Sequence, residues 1–303
     1  MNIEEQMSLP LARPPRGPLP ERLILRLGDG YSTPVYAFAP PGGTDGIPVV
    51  YAHGIQSHPG WYFASARAIA NTGRWVYLVT RRGCGENTKD RAHCKSAKQL
   101  LDDVDAACTL AMQHASHRQV SLLGVSWGGK LLLAYSLSPA RTARLEQLIL
   151  VAPGLTPKVD ASPVLKLAIA FNVLVRPRAR FAIPLGEPKL FTNNPRFQHF
   201  LRNDSLSLHH ATARFFYSSR VLDTMISKCR DNSLQTPVLL MLASDDKIIF
   251  NNKTEQLVRR LAGRSCKAIT INGSHTLEFE HDPTEFFDAL TTGMMSDCSS
   301  TTR

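Results

Sequence analysis

Residues 120–131 read Val-Ser-Leu-Leu-Gly-Val-Ser-Trp-Gly-Gly-Lys-Leu, an apolar run that stops at a serine between glycines and then turns apolar again. The run from Gln119 to Val125 has the length of a buried strand, and the stretch from Trp127 to Leu137 reads as a helix. A strand that enters a tight turn and leaves at once as a helix lifts the Ser126 hydroxyl above the sheet edge, at the helix N-terminus. Gly124 and Gly128 are then positions where a side chain would collide with the neighbouring strand and helix. The competing reading is a Gly/Ser turn that only closes a strand.

Outward from this turn the chain alternates short apolar runs with helical stretches, the order that builds a mostly parallel sheet covered by helices. Eight runs qualify as strands: residues 21–27, 33–39, 47–53, 74–80, 119–125, 145–152, 236–243 and 266–271. Helices are expected at 61–71, 96–115, 127–137, 253–261 and 283–291. No helix separates the first two strands, so the sheet is expected to begin with an antiparallel pair. The rhythm breaks across residues 155–232, a span too long for a bare loop and carrying helical patterns of its own, which reads as a cap folding over the sheet. The expected organisation is an extended proline-rich arm at 1–20, a core at 21–154 and 233–293, the cap at 155–232 and a frayed tail at 294–303.

Composition narrows the class. With 43% hydrophobic and 20% charged residues over 303 positions, the chain can bury a large core and is not disordered over most of its length. Its formal charge of +10 favours anionic partners. No zinc-finger, RNP-type or basic-heptad pattern accompanies that charge, so nucleic-acid recognition is not expected. The six cysteines (Cys84, Cys94, Cys108, Cys229, Cys266, Cys298) form neither a CxxC pair nor a zinc-ligand set and are expected to be reduced. The first residues place acids where a signal peptide carries positive charge, and the apolar stretch 163–175 is shorter than the ~20 residues that span a bilayer. The expected location is cytoplasmic.

A serine hydroxyl is a poor nucleophile until a neighbouring base takes its proton, and imidazole suits that role near neutral pH. Of ten histidines, His275 is the best placed, in the loop directly after the last expected strand. The imidazole needs a carboxylate to fix its tautomer, and the run Ala243-Ser244-Asp245-Asp246-Lys247-Ile248-Ile249 ends the preceding strand with two. Two backbone N–H donors should face the developing oxyanion. Trp127 follows the nucleophile and supplies one; Ile55, after His53-Gly54 at the end of the third strand, supplies the other.

Together these pieces resemble the α/β-hydrolase superfamily, within it the branch of monoacylglycerol lipases, lysophospholipase-like hydrolases and serine aminopeptidase-like proteins. The resemblance runs from about Glu21 to Thr291 and rests on HGIQSHPGWY (53–62), GVSWGG (124–129), LILVAPGL (148–155) and ASDDKII (243–249). It implies an α/β-hydrolase fold, a mostly parallel eight-stranded sheet flanked by helices with a helical cap insertion. It also implies that Asp246 is the triad acid, with Asp245 in reserve. Two positions depart from the family pattern: Ala243 stands where the family carries glycine, and Thr80 where an acid often precedes RRGCG.

In that family the cap shapes a hydrophobic pocket. Here Pro163–Val175 is apolar nearly all round, with Lys166 and Asn172 on different sides, so it must be buried against the sheet domain or touch something greasy. Twelve basic residues against five acidic ones give the cap most of the chain's excess charge. Arg176, Arg178 and Arg180 either complement a helix C-terminus or meet anionic lipid headgroups, which leaves peripheral membrane contact open.

The expected activity is serine hydrolysis of carboxylic esters of lipid-like substrates such as monoacylglycerols, through an acyl-enzyme, with no metal or organic cofactor. The alternatives are an aminopeptidase-like activity, acyl transfer, or a silent fold that binds a hydrophobic ligand.

Overall fold

The computed structural model describes residues 15–43 and 46–295. Eight strands form one sheet: β1 (Glu21–Arg26), β2 (Ser32–Phe38), β3 (Gly46–Ala52), β4 (Arg74–Val79), β5 (Val120–Val125), β6 (Leu145–Val151), β9 (Val238–Ala243) and β10 (Cys266–Ile271). A separate two-stranded ribbon, β7 (Arg180–Ala182) with β8 (His210–Thr212), lies in the segment between β6 and β9. The sheet order is β1-β2-β4-β3-β5-β6-β9-β10. β1 and β2 pair antiparallel, as do β2 and β4, and every pairing from β4 to β10 is parallel. Each strand of the eight-stranded sheet lies within two residues of its sequence-based bounds, whereas the β7–β8 ribbon has no counterpart among the expected strands. The interior strands β5 and β9 are buried at every position, which is why they read as nearly continuous apolar runs rather than alternating ones.

The helices are α1 (Phe63–Ala70), α2 (Ala97–His114), α3 (Trp127–Ser136), α4 (Pro163–Val175), α5 (Pro195–Asn203), α6 (Ala213–Lys228), α7 (Asn251–Ala262) and α8 (Thr284–Met295), with one further short turn at Pro139–Thr142. Helix α2 starts where the Ser96 hydroxyl accepts from the Gln99 N–H, an N-cap that satisfies one of the orphan donors of the first turn. Helices α1 and α8 pack together, as do α2 and α3, while α7 packs on β9 and β10. The chain fills the sheet on one side of β3 with β4 and then crosses to the other side with β5. The crevice beyond the carboxyl ends of these parallel strands is where such sheets place their ligands.

Of the residues expected as an arm, 1–14 lie outside the described set. The rest dock on α1: the Asn71 amide donates to the Arg16 carbonyl at 3.1 Å, and the buried Arg67 guanidinium donates to the Pro18 and Ala39 carbonyls. Of the expected tail, 296–303 lie outside the described set, and α8 continues to Met295.

Between β6 and β9 stand α4, β7, α5, β8 and α6. Helix α4 does not bury itself against the sheet. It packs Ile169 and Val173 on Ala213 and Phe216 of α6, while Val164, Leu167, Phe171, Leu174 and Val175 are 53–84% exposed. Those five fall within an arc of about 100° on the helix.

Candidate active site

The turn after β5 holds Ser126 at φ 53° and ψ −121°, left-handed backbone that a non-glycine residue enters only when its surroundings force it. The surroundings are close. A Cβ on Gly124 would lie 2.6 Å from the Gly129 Cα, and one on Gly128 would lie 2.3 Å from the Ala52 carbonyl oxygen. The Ser126 N–H donates to the Val151 carbonyl, and its own carbonyl accepts from Gly129 and Gly154. The strain is held by backbone on both sides, and the hydroxyl is lifted to the mouth of the crevice.

His275, in the loop after β10, brings Nε2 to 2.9 Å from Ser126 Oγ. Its Nδ1 lies 2.8 Å from Asp246 Oδ2, at the end of β9. The other Asp246 oxygen accepts from the Ile248 and Ile249 N–H groups at 2.8 and 3.0 Å. Burial alone would raise the Asp246 carboxyl, but His275 and those two amides outweigh it and hold it below its ordinary range. An ionised carboxylate accepting the Nδ1 proton leaves Nε2 as the acceptor for the serine proton. Asp245 points elsewhere: its carboxylate is exposed beside Lys247 and Asn193.

Ile55 lies after β3, the parallel neighbour of β5, with Ala52 paired to Gly124. A Cβ on Gly54 would stand 3.5 Å from Ser126 Cβ, so the loop passes directly beside the serine. Trp127 is the first residue of α3, where the N–H has no intrahelical acceptor. Among the described residues no hydrogen bond takes up the N–H of either Ile55 or Trp127. Such an arrangement can move a proton from serine to imidazole and offer two amides to an oxyanion. No group of three or more His, Cys, Asp or Glu side chains among the described residues is arranged to hold a metal ion.

The segment between β6 and β9 is tied to the loop after β3 and to α3 by polar contacts that local sequence patterns do not reveal. Asp204, at the end of α5, is fully buried and accepts from Trp61 Nε1 at 2.7 Å, Ser207 Oγ at 2.6 Å and His58 Nε2 at 3.0 Å. The Gly60 N–H donates to His58 Nδ1, so the ring proton sits on Nε2, facing Asp204. Burial would raise the Asp204 carboxyl, but these donors outweigh it and hold it well below the carboxylate range. Lys130 of α3 pairs with Asp223 of α6 at 2.7 Å, and Trp127 Nε1 donates to Ser219 at 2.9 Å. The available signal for the first cluster was an isolated acid in a basic segment and an unassigned His and Trp in HGIQSHPGWY.

Glu278, three residues after His275, is buried, and burial pushes its carboxyl up to about 8. Its oxygens lie 2.9 Å from the Ser65 N–H and 2.6 Å from Ser65 Oγ, and Ser65 Oγ in turn donates to the Tyr62 carbonyl. A neutral Glu278 completes this chain by donating to Ser65. The folded state therefore keeps a proton that the unfolded chain releases near 4.5, and stability falls as pH rises from about 5 to about 8. Glu278→Gln preserves the donor and removes the titration. Denaturant unfolding is expected to show little difference at pH 5 and a gain on the order of several kcal/mol for the variant above pH 8.

Comparison with known proteins agrees with this architecture. The family described as serine aminopeptidase, S33, matches residues 47–282. Phospholipase YtpA of Bacillus subtilis (strain 168) is 27% identical over 203 residues, covering 66% of this chain and 76% of that protein. A monoacylglycerol lipase of Mycolicibacterium smegmatis is 29% identical over 118 residues, covering 39% of this chain and 41% of that one. A soluble variant of Saccharomyces cerevisiae monoglyceride lipase, solved with a substrate analogue, superposes with a TM-score of 0.79 at 17% identity, over 94% of this chain and 98% of that one. With a mostly parallel sheet that carries its serine turn after β5 and a family match across most of its length, the chain belongs to the serine aminopeptidase S33 family of α/β-hydrolases.

Proposed function

We propose that this lipase- or esterase-type α/β-hydrolase cleaves carboxylic esters of lipid-like acyl substrates, such as monoacylglycerols, through an acyl-enzyme on Ser126. The observation that carries the reading is the unbroken relay from Ser126 Oγ through His275 to Asp246, with spans of 2.9 and 2.8 Å, beside two unengaged amides. In the forward step Ser126 Oγ bonds to the substrate carbonyl carbon while its proton passes to His275 Nε2. The carbonyl oxygen, now negative, takes the Ile55 and Trp127 N–H groups. Collapse breaks the ester C–O bond, and the leaving alkoxide takes the proton from His275. Water then repeats the sequence on the acyl-enzyme, with His275 as base and then acid.

The lipid-like substrate class draws on the names of the phospholipase and monoacylglycerol lipase relatives. Residues 155–232 act in this reading as a cap that shapes the acyl site. A free amine, which an aminopeptidase must bind, is disfavoured beside a segment with twelve basic and five acidic residues. A panel of chromogenic esters of graded acyl length, run with wild type and Ser126→Ala side by side, tests the substrate class. Turnover is expected for the wild type, with a preference along the series; a flat or absent response contradicts the reading.

We also infer that the exposed apolar face of α4 touches lipid surfaces. No helix among the described residues is long and apolar enough to cross a membrane. Arg176 follows the last residue of the helix and is exposed, as is Arg180 in β7, and Arg178 is instead engaged by Asp90 at 2.8 Å. Co-sedimentation with vesicles containing phosphatidylserine is expected at low salt, weaker at high salt. Leu167→Ser with Phe171→Ser is expected to lower it about tenfold or more. Equal sedimentation of variant and wild type removes the inference.

A further inference from the structure

Arg81 stands just after β4, 9% exposed, and among the described residues it has no carboxylate partner. Its charge is spent on the loop that carries Ile55. One terminal nitrogen donates to the Ile55 carbonyl at 2.9 Å and reaches the Gly54 carbonyl at 3.4 Å. The guanidinium carbon lies 4.6 Å from the Trp127 ring centre and 5.0 Å from that of Phe215 on α6. A single side chain therefore touches the loop of one candidate oxyanion donor, the side chain of the other, and the segment above both.

His53 completes the hold. The Arg81 N–H donates to His53 Nε2 at 3.2 Å, which fixes the ring proton on Nδ1, and Nδ1 donates to the Gly54 carbonyl at 2.9 Å. Burial first, and then the Arg81 charge, hold the imidazole well below its ordinary range, so it stays neutral. The Gly54–Ile55 peptide is planar and trans, so its C=O and N–H point in opposite directions. The Gly54 carbonyl of that peptide is gripped by His53 Nδ1 at 2.9 Å and more weakly by Arg81 at 3.4 Å, which aims the Ile55 N–H the other way and strengthens it as a donor, while the shorter Arg81 bond, to the Ile55 carbonyl, fixes the next peptide of the loop.

Resting on the serine-hydrolase reading above, we propose that Arg81, acting with His53, is a positioning residue for the oxyanion hole: it aims and polarises the Ile55 N–H and braces Trp127. Its contribution belongs to the transition state rather than to substrate binding.

The test is kinetic. With a short-chain p-nitrophenyl ester, Arg81→Gln is expected to lower kcat by about 10–100-fold with KM within about threefold of wild type. Affinity for an alkyl trifluoromethyl ketone, whose adduct with serine carries the oxyanion, should fall by a similar factor. Arg81→Lys, which keeps a charge but not the planar fork, should recover part of both losses. If Arg81→Gln does not fold, the Arg81→Lys protein alone still decides, because a loss of ketone affinity at unchanged KM is expected of it. Unchanged kcat and ketone affinity in these variants overturn the proposal, as does a rise in KM at constant kcat, which would make Arg81 a ground-state contact. Ser126→Ala run in parallel separates the two levels: if it retains wild-type turnover the hydrolase reading itself fails, whereas its inactivity beside an unaffected Arg81→Gln sinks only the role of Arg81.

Discussion

Replacing Ser126 by alanine is expected to lower ester turnover by about 10⁴–10⁶-fold while leaving the chain folded. The size follows from what is removed. In the proposed mechanism no acyl-enzyme forms without Oγ, His275 has no proton to accept from the protein, and what remains is substrate binding plus the two proposed oxyanion donors. The folded state should survive because alanine is smaller, and the left-handed backbone at this position is held by the Val151, Gly129 and Gly154 hydrogen bonds rather than by the hydroxyl. The measurement is kcat/KM for a chromogenic ester, with circular dichroism to verify the fold. Retention of more than about a hundredth of wild-type activity would mean that another group does the chemistry.

The second large effect distinguishes two adjacent acids. Asp246→Asn is expected to cost on the order of 10⁴-fold in kcat, because an amide offers a donor where His275 Nδ1–H needs an acceptor and so favours the wrong tautomer. Asp245→Asn should change kcat by less than about threefold, since its carboxylate is exposed and pairs with Lys247. Steady-state kinetics on the two purified variants checks this. Equal losses, or the reverse order, would contradict the geometry in which Asp246 accepts from His275, Ile248 and Ile249 together.

The choice between these acids shows what was legible in the chain and what was not. Strand periodicity placed both at the end of β9, and their order after Ser126 and before His275 was plain, but neighbouring residues at a strand end point to opposite sides. Composition cannot choose between them. The family register pointed to Asp246, and the inward turn of that carboxylate onto two amides gives the physical reason. The sheet was legible because interior strands such as β5 and β9 are buried at every position and almost wholly apolar, a pattern that survives without any knowledge of partners.

Long-range polar pairings were not legible. Asp204 meets His58 across 146 positions, and nothing in either neighbourhood's periodicity announces the other. Nothing around Arg81 in the chain marks it out, because an arginine after a strand usually reaches water, whereas this one turns inward onto carbonyls and an indole. Helix α4 was legible only in part. Its nearly uniform apolar pattern left burial against the sheet domain and contact with something greasy both open, whereas in the fold Ile169 and Val173 pack on Ala213 and Phe216 of α6 and on Phe181 of β7, leaving the opposite face bare. Hydrophobicity states that a surface is apolar; it does not state what covers it.

The most direct measurement is labelling of the native chain with a fluorophosphonate, followed by intact mass and peptide mapping. The relay predicts a single adduct on Ser126, absent from Ser126→Ala and formed at least about a hundredfold more slowly in His275→Ala, where no base takes the proton. A folded wild-type chain that stays unlabelled, or one labelled equally fast without His275, would contradict the claim that this imidazole makes Ser126 a nucleophile.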